Sequence, residues 1–459
     1  MTVVDSPRQR LEPTSSPQGT EMVPSRTTLA LVRFVLALGL GVVVGLSFIS
    51  DTHSQLVARG GYAMFLGNLF AMTGTYLALV MVLVVSRLAF VERVLGQDRL
   101  VHLHKTLSPW PLSLIVLHVV LTTVGYAQNA KTGFMHEFGT FLSSFPNMIT
   151  ATIGFGVMVT VGIVSIRAIR VRLRRETWWT IHLTMYLALA LSYAHILALG
   201  PAFVGHPLAR VFWIVIWLGT AGVVLIYRVA VPLVRSSRHS LQVAEVKREA
   251  AGVASIVLQG RNLDKLKISG GQFFSWRFLA PGIWWQAHPY SISALPKPPF
   301  LRLTVKGIGD HSKFLASLKP GTKVLIEGPF GAMTVQNKRP GKTVLIAGGI
   351  GITALRSLLE DLDSSSEPVL IRRVTKDSEL ILKGEIDSLI KNRKGVLHEL
   401  VGSRQKVRFD ASKLKSLVPD IIERDVFVCG SPGFVDSVVQ IVCDCGVPPE
   451  KVHFEAFSL

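Results

Sequence analysis

Residues 104–118 read HKTLSPWPLSLIVLH, and residues 182–195 read HLTMYLALALSYAH. Each stretch is an apolar run that opens and closes on histidine. A neutral imidazole surrounded by hydrocarbon needs a partner, and an ionisable side chain at membrane depth is a functional residue by default. The separations are 14 and 13 residues, or about 21 and about 20 Å along a helix. Two helices would then present facing histidines at two matching depths. Two irons, each held by one imidazole from each helix, fit that arrangement, and bis-histidine ligation leaves no iron position open, which suits electron transfer. Depth pairs His104 with His182 near one membrane face and His118 with His195 near the other.

A 14-residue step returns to within about 40° of the same helix face, whereas a 13-residue step misses by about 140°. The helix of His182 and His195 is therefore expected to change its winding locally, through a π-bulge or a tilt. His102 is an alternative to His104, but its spacing from His118 is 16 and His104 is preferred. A zinc site is not indicated, because no carboxylate or cysteine accompanies either pair. His53, His136 and His206 fall in loops on the other face and read as surface residues.

The elements that position these pairs are six apolar runs over about 28–49, 62–86, 103–125, 148–166, 178–199 and 208–234. Each has roughly the twenty residues that cross a bilayer core. The 459 residues are 49% hydrophobic and carry a net charge of +19. No basic stripe interleaves with aromatics, so nucleic acid is not the expected partner; the bilayer is. Arg87, Arg93, Arg99 and Lys105 follow the second run, Arg167, Arg170, Arg172, Arg174 and Arg175 follow the fourth, and Arg228, Arg235 and Arg238 surround the end of the sixth. The opposite loops carry Arg59, Lys131 and Arg210. This bias predicts a multi-pass cell-membrane protein with both termini cytosolic. Residues 1–27, rich in Pro, Ser and Thr, read as a disordered cytosolic tail rather than a signal peptide.

Near residue 236 the composition changes. Short alternating runs such as SLQVAEV, ASIVLQG and FLRLTVKG predict a small antiparallel β-barrel domain over 236–338. From 339 to 459, TVLIAGG, PVLIRRV and DVFVCG alternate with helical stretches, which predicts a parallel α/β sheet. The three cysteines, Cys429, Cys443 and Cys445, offer neither a disulfide framework nor an iron–sulfur spacing. The expected whole is a six-helix transmembrane haem bundle over 28–235, followed by these two domains.

Residues 288–293 read HPYSIS, 305–313 read VKGIGDHSK and 328–331 read GPFG. On these motifs the soluble half resembles the ferredoxin–NADP reductase superfamily. Joined to six spans with paired histidines, the chain over about 28–459 resembles the NADPH oxidase and ferric reductase family in its bacterial form. The resemblance implies FAD along His288, Pro289, Tyr290 and Ser291, with Ser291 near the reactive flavin N5. His288 stands where soluble relatives carry Arg. It also implies that the turn opened by Val305 cradles the FAD pyrophosphate, with Lys306 as a charge and the backbone from Gly307 to Ser312 as donors.

GGIGITA, 348–354, follows a strand and opens a helix, so Gly348, Gly349, Gly351 and Thr353 are expected at a pyrophosphate on the helix N-terminus. Related chains place Pro where this one has Ala354. No acid follows in VLIRRV; Arg372 or Arg373 is a candidate for a 2′-phosphate, which favours NADPH and leaves NADH open. VCGSPGF resembles the family loop that sets Cys429 and Gly430 beside the nicotinamide. VHFEAFSL resembles the ending that covers the flavin with an aromatic ring; Phe457 is the candidate, with Phe454 as the alternative.

The resemblance thus implies an electron path from cytosolic NADPH through FAD and two haem b groups to an acceptor outside. Molecular oxygen, reduced to superoxide, is the first expectation. A ferric chelate is the alternative, and a quinone-linked cytochrome b or a haem-holding sensor are readings from other classes. The segment 126–147 is long enough to cover an outer haem edge, and Lys131 is placed to attract an anion. Ala188 stands where relatives carry a midway aromatic, with Tyr186 or Trp110 as possible substitutes. No EF-hand pattern occurs, and no obligatory protein partner is indicated.

Overall fold

The computed structural model describes residues 26–49, 53–88, 91 and 97–457. Residues 1–25 of the expected tail, and Arg93, lie outside the described residues. The chain divides into two compact units between Val231 and Pro232.

In lipid, backbone groups must be satisfied within the segment, so apolar runs of this length become helices. Six helices among the described residues are long and apolar enough to cross a membrane: Ala30–Phe48, Gly61–Val84, Leu100–Ala130, Met148–Ser165, Glu176–Leu199 and Pro207–His239. Small residues let their backbones approach. A Cβ on Gly67 would lie 2.4 Å from Thr122 Oγ1, which packs the second span on the third. One on Gly154 would lie 2.8 Å from the Ala188 carbonyl, which packs the fourth on the fifth. Tyr76 donates to the Leu36 carbonyl at 2.9 Å and ties the second span to the first.

The winding change falls on other helices than the one expected. The fifth span is an unbroken α-helix, Arg175–Leu199. The third is two helices, Gln97–Leu107 and Pro109–Ala130, interrupted at Ser108. Pro109 and Pro111 lack the N–H groups that would continue the ladder across that turn. The phase arithmetic for His104 and His118 therefore does not carry through a continuous helix. A π-turn does occur, at Leu225–Ala230 of the sixth span, where the Val231 N–H reaches back to the Ile226 carbonyl. Pro232 has no N–H to offer Arg228. The segment 126–147 is mostly helical, with Phe134–Ser144 forming its own helix.

The second unit begins with two three-stranded antiparallel sheets. One has the order β1 (Gln242–Ala250), β2 (Val253–Gln259), β5 (Phe300–Lys306); the other has the order β4 (His288–Ser291), β3 (Phe273–Phe278), β6 (Val324–Phe330). They enclose Ile256, Leu258, Phe274, Trp276 and Phe278. The expected closed barrel is not formed. Closure needs continuous ladders at both seams, but the sheets are linked by the isolated bridges Gln242–Lys323 and Ile292–Leu303. The four-residue β4 contains Pro289, which cannot donate to a ladder.

Five parallel strands follow: β7 (Thr343–Gly348), β8 (Val369–Val374), β9 (Val396–Val401), β10 (Asp425–Gly430) and β11 (Val452–Ala456). Their order is β11-β10-β7-β8-β9. The helices Ile352–Asp361 and Lys383–Asn392 cover one face, while Ala411–Leu417 and Pro432–Asp444 cover the other. The chain runs outward from β7 to β9 and then returns to β10 on the opposite side of β7. Such a reversal of strand order opens a crevice at the carboxyl ends of the two strands.

Polar contacts fix the flavin-type sheets to this domain. Arg302 donates to both carboxylate oxygens of Glu385 at 2.7 Å each. Arg356 Nε lies 3.0 Å from Glu385, and the Gly270 N–H donates to Asp361 at 2.8 Å. The Leu295 N–H donates to Glu360 at 2.8 Å. A Cβ on Gly270 would fall 2.2 Å from the Ser357 carbonyl, so the two surfaces meet at backbone distance.

Candidate functional site

The His104 and His182 rings lie with centroids 6.0 Å apart and planes at 81°. Two imidazoles that share one metal ion, each bonded at about 2 Å, would have centroids roughly 6 Å apart. The pair therefore fits a bis-histidine iron. His182 is stacked on Trp178 at 5.0 Å, and Arg170 covers the other partner of that stack at 4.6 Å from the Trp178 centroid. Ser165 Oγ lies 3.5 Å from His182 Nδ1 and accepts from Trp178 Nε1 at 3.3 Å.

At the second level, His118 Nδ1 lies 2.9 Å from the Gly67 carbonyl and 3.1 Å from Thr122 Oγ1. That bond commits Nδ1–H and leaves the Nε2 lone pair for a metal, the usual outer-shell arrangement of a ligating histidine. His195 stands thirteen residues beyond His182 on the unbroken fifth helix, and its buried Nδ1 has no hydrogen-bond partner. Among the described residues no group of three or more His, Cys, Asp or Glu side chains is placed to hold a metal ion. His102 is exposed on the same short helix as His104. Trp110 is 63% exposed, and Ala188 is buried, with its carbonyl 2.8 Å from the place of a Cβ on Gly154 of the fourth span. Tyr186 is half-buried among the same apolar residues.

In the second unit, β4 presents His288, Pro289, Tyr290 and Ser291. The His288 and His311 rings are 3.9 Å apart between centroids, and Tyr290 runs parallel to His311 at 6.3 Å. The Tyr290 hydroxyl lies 3.1 Å from His311 Nδ1. Burial, then the neighbouring His288, hold the pKa of His311 down at about 4, so the ring is neutral at pH 7. Its Nε2 and the Ser291 hydroxyl are buried without protein partners. An orphaned polar atom of this kind costs about 1–3 kcal/mol. One is on β4 and the other on the helix Asp310–Phe314 packed against it, and a polar ring system such as a flavin could satisfy such atoms.

The phosphate turn is narrower than expected. Ser312 Oγ accepts from the Ile308 N–H at 2.9 Å and the Gly309 N–H at 3.0 Å, and the Gly307 N–H donates to Gly252. Those three amides are therefore used inside the protein. Lys306 pairs with Glu379 at 3.2 Å. Val305 faces the core and its backbone pairs with Ala254, so it offers a ligand no side chain.

The crevice at β7 and β10 gathers the remaining motifs. A Cβ on Gly351 would fall 2.1 Å from the Cys429 carbonyl oxygen, and Cβ atoms on Gly348 and Gly430 would each fall 2.6 Å from the Phe434 ring. Gly349 has φ +52°, in the region where glycine is free of the Cβ penalty. Thr353 bonds the Ile350 carbonyl at 2.9 Å and so holds the turn. Burial first, and Glu455 second, push the Cys429 thiol well above its ordinary pKa; it is a neutral packing group, not a thiolate. Phe457 packs on the same layer as Cys429, whereas Phe454 packs on the opposite face of the sheet, which separates the two candidates.

Arg372 is removed from the phosphate role. It is 1% exposed, donates to the Ile381 carbonyl at 2.7 Å and pairs with Glu399 at 3.3 Å. Its side chain lies inside the layer between β8 and β9, where its charge is compensated. Arg373 alternates to the other side, donates to the Val407 carbonyl, and lies near Arg404.

Residues 70–193 match the family described as a ferric reductase like transmembrane component, and residues 241–334 match an FAD-binding domain. The membrane unit thus carries a ferric-reductase-like transmembrane region, and the second unit an FAD-binding domain. With its six apolar helices the protein is a multi-pass membrane chain of the oxidoreductase type its two matched domains describe. It is 27% identical to a flavohemoprotein of Bacillus subtilis over 47% of this chain and 58% of that one. It is 23% identical to an NADPH oxidoreductase of Mycobacterium tuberculosis over 47% of this chain and 58% of that one. The flavohemoprotein-like FAD/NAD-binding domain of a Vibrio cholerae nitric oxide dioxygenase covers 48% of this chain and 99% of its own length, at 23% identity and a TM-score of 0.40. The chain thus spans less than two thirds of the curated relatives it matches here.

Four residues of this ferric-reductase-like chain were not singled out from sequence. Trp178 holds His182, and its spacing of one helical turn was a usable signal. His311 stands inside the quoted turn GIGDHSK. Glu455 faces Cys429 across the β10–β11 register, and its Oε2 would lie 3.4 Å from a Cβ on Gly331 of the GPFG motif. Arg404 follows β9, and nothing in its local sequence marks it.

Proposed function

We propose that the protein carries electrons from cytosolic NADPH across the membrane to an acceptor on the far side, with both termini cytosolic. The observation that carries this reading is the 6.0 Å His104–His182 pair, with His118 and His195 a second level away, in a chain that also holds an FAD and nicotinamide module. A flavin held along β4 would supply the conversion of a two-electron donor into single electrons, and His104 with His182, and His118 with His195, would hold haem b groups suited to one-electron transfer.

The protein's own part is positioning. Gly348, Gly349 and Gly351 clear space for the pyrophosphate, and Gly430 and Cys429 close the floor beside it without a charge. Ser291 and His311 offer a flavin their unpartnered polar atoms. Phe457 covers the crevice and would move aside for the nicotinamide. Arg373 and Arg404 form the 2′-phosphate pocket, in place of the Arg372 expected from sequence. His118 is fixed by the Gly67 carbonyl, and His182 by Trp178 and Ser165.

The acceptor is oxygen, giving superoxide, or a ferric chelate. The experiment is NADPH oxidation by the purified full chain with oxygen alone, and anaerobically with ferric chelate, beside the haem spectrum. Absence of a Soret band after expression with ample haem sinks the electron path. Turnover with ferric chelate and none with oxygen sinks the oxidase reading. Arg404→Ala is expected to raise the KM for NADPH about tenfold and leave that for NADH near its starting value.

A further inference from the structure

Arg170, Trp178 and His182 form one stack. The Arg170 guanidinium carbon lies 4.6 Å from the centroid of the Trp178 ring. That ring lies 5.0 Å from the His182 ring, with the planes at 25°. The two distances together put the guanidinium carbon within about 10 Å of the His182 ring.

Local structure dictates the stack. Trp178 and His182 are four residues apart on the helix Arg175–Leu199, so their side chains share a face. Arg170 closes the short turn Arg167–Arg170 that follows the fourth span, and its N–H donates to the Ile166 carbonyl at 2.8 Å. Ser165, at the end of that span, accepts from Trp178 Nε1 at 3.3 Å and so holds the indole by its edge. A guanidinium over an indole face is a favourable contact, because the ring turns its negative face to the cation. Arg170 itself is exposed, as are Arg167, Arg172 and Arg174 beside it. Among the described residues no carboxylate lies within ion-pair distance of Arg170.

The two histidine levels differ in what meets Nδ1. At His118 the Gly67 carbonyl lies 2.9 Å away, and a carbonyl that accepts this N–H makes the imidazole a stronger electron donor. At His182 the Ser165 hydroxyl lies at a long 3.5 Å, and the same oxygen also serves Trp178. His182 is thus the weaker donor of the two, and a cation is linked to it through the indole.

We propose that Arg170, held over Trp178, is a positioning residue that makes an iron held by His182 easier to reduce, a proposal that rests on the transmembrane electron-transfer reading above. Reduction adds one electron to ferric iron and lowers the charge of the site by one, so a nearby positive charge favours the ferrous state. Weak donation from His182 acts in the same direction. The guanidinium is exposed and screened by salt, so the expected effect is about threefold in the one-electron equilibrium, or roughly 30 mV where tenfold is about 59 mV.

The test is a potentiometric titration of haem absorbance in the purified full chain, in detergent at low and high salt. Arg170→Gln is expected to lower the midpoint of one haem component by roughly 30 mV at low salt and by less at high salt, with haem content and the Soret maximum kept. Arg170→Lys keeps the charge and is expected to stay nearer the wild type than Arg170→Gln. Arg172→Gln removes a neighbouring cation outside the stack and is expected to leave both midpoints in place. Unchanged midpoints in Arg170→Gln overturn the proposal. An equal fall in Arg172→Gln also overturns it, since the effect would then belong to general surface charge. Equal falls in the Lys and Gln variants do the same, by assigning the loss to packing on the indole. A wild-type chain with no Soret band removes the electron-transfer reading and this proposal with it, whereas a Soret band with unshifted midpoints removes the proposal alone.

Discussion

The two units use polar side chains under opposite economies. In the membrane unit polar groups are scarce: His104 stands beside His182, and the His118 ring is fixed by the Gly67 carbonyl. In the reductase unit polar groups are abundant, and many are consumed by the fold. Arg372 bonds Ile381 and Glu399, Lys306 pairs with Glu379, and Ser312 satisfies two turn amides. A polar residue therefore announces a ligand in lipid, where alternatives are few, and announces little in a soluble domain, where a neighbour is usually within reach.

The largest effect is expected where that contrast is sharpest. His118→Ala removes the ring fixed by Gly67 and is expected to abolish haem binding at its level, halving haem b per protein, while His102→Ala leaves haem content at the wild-type value. Haem quantified against protein in the purified full chain decides this. Retention of full haem by His118→Ala would break the comparison, because a histidine in lipid would then be no better a marker than an arginine in a sheet.

Next comes a position where the soluble unit works through backbone. Gly351→Ala places a methyl 2.1 Å from the Cys429 carbonyl, and something must shift. Overpacking of this kind costs about 1–3 kcal/mol. NADPH-driven flavin reduction is expected to fall about a hundredfold while bound FAD is retained, measured by stopped-flow bleaching against flavin content. An unaltered rate would mean that the turn at β7 does not abut β10 as described.

The sequence disclosed most where a pattern is local. Six apolar runs, the alternation of β7 to β11 with helices, and the glycines at 348–351 are properties of a few consecutive residues. What stayed hidden depends on distant partners. The phase of His104 against His118 turned on a break at Ser108, and the barrel seams turned on single bridges between segments about 80 and 11 residues apart. Arg372 and Arg373 are adjacent and chemically identical, and only the pleat of β8 sends one into the layer and the other toward Arg404.

A smaller effect is expected at the join inside the reductase unit. Arg302, helped by Arg356 and opposed by burial, sets the pKa of Glu385 below the usual carboxylate range. A carboxylate depressed in the folded state stabilises above its unfolded value near 4.3 and loses that contribution as pH falls through the folded value. A double-mutant cycle of Arg302→Ala and Glu385→Ala is expected to give about 1–2 kcal/mol of coupling at pH 7, discounted for the partial exposure of Glu385. The coupling should shrink below about pH 4. A pH-independent coupling would assign the contact to packing rather than charge.

The smallest effect is a chemical silence. Alkylation by iodoacetamide needs a thiolate, and burial together with Glu455 keeps Cys429 a neutral thiol. At pH 8 the native chain is expected to take label at Cys443, which is half-buried, well before Cys429, which is completely buried. Peptide mapping after timed labelling reads the order, and full unfolding in denaturant should equalise the two. Rapid native labelling of Cys429 would mean an open, charged floor to the crevice. The hydride would then travel beside an anion, and the carboxylate of Glu455 would have to serve a role other than keeping that thiol protonated.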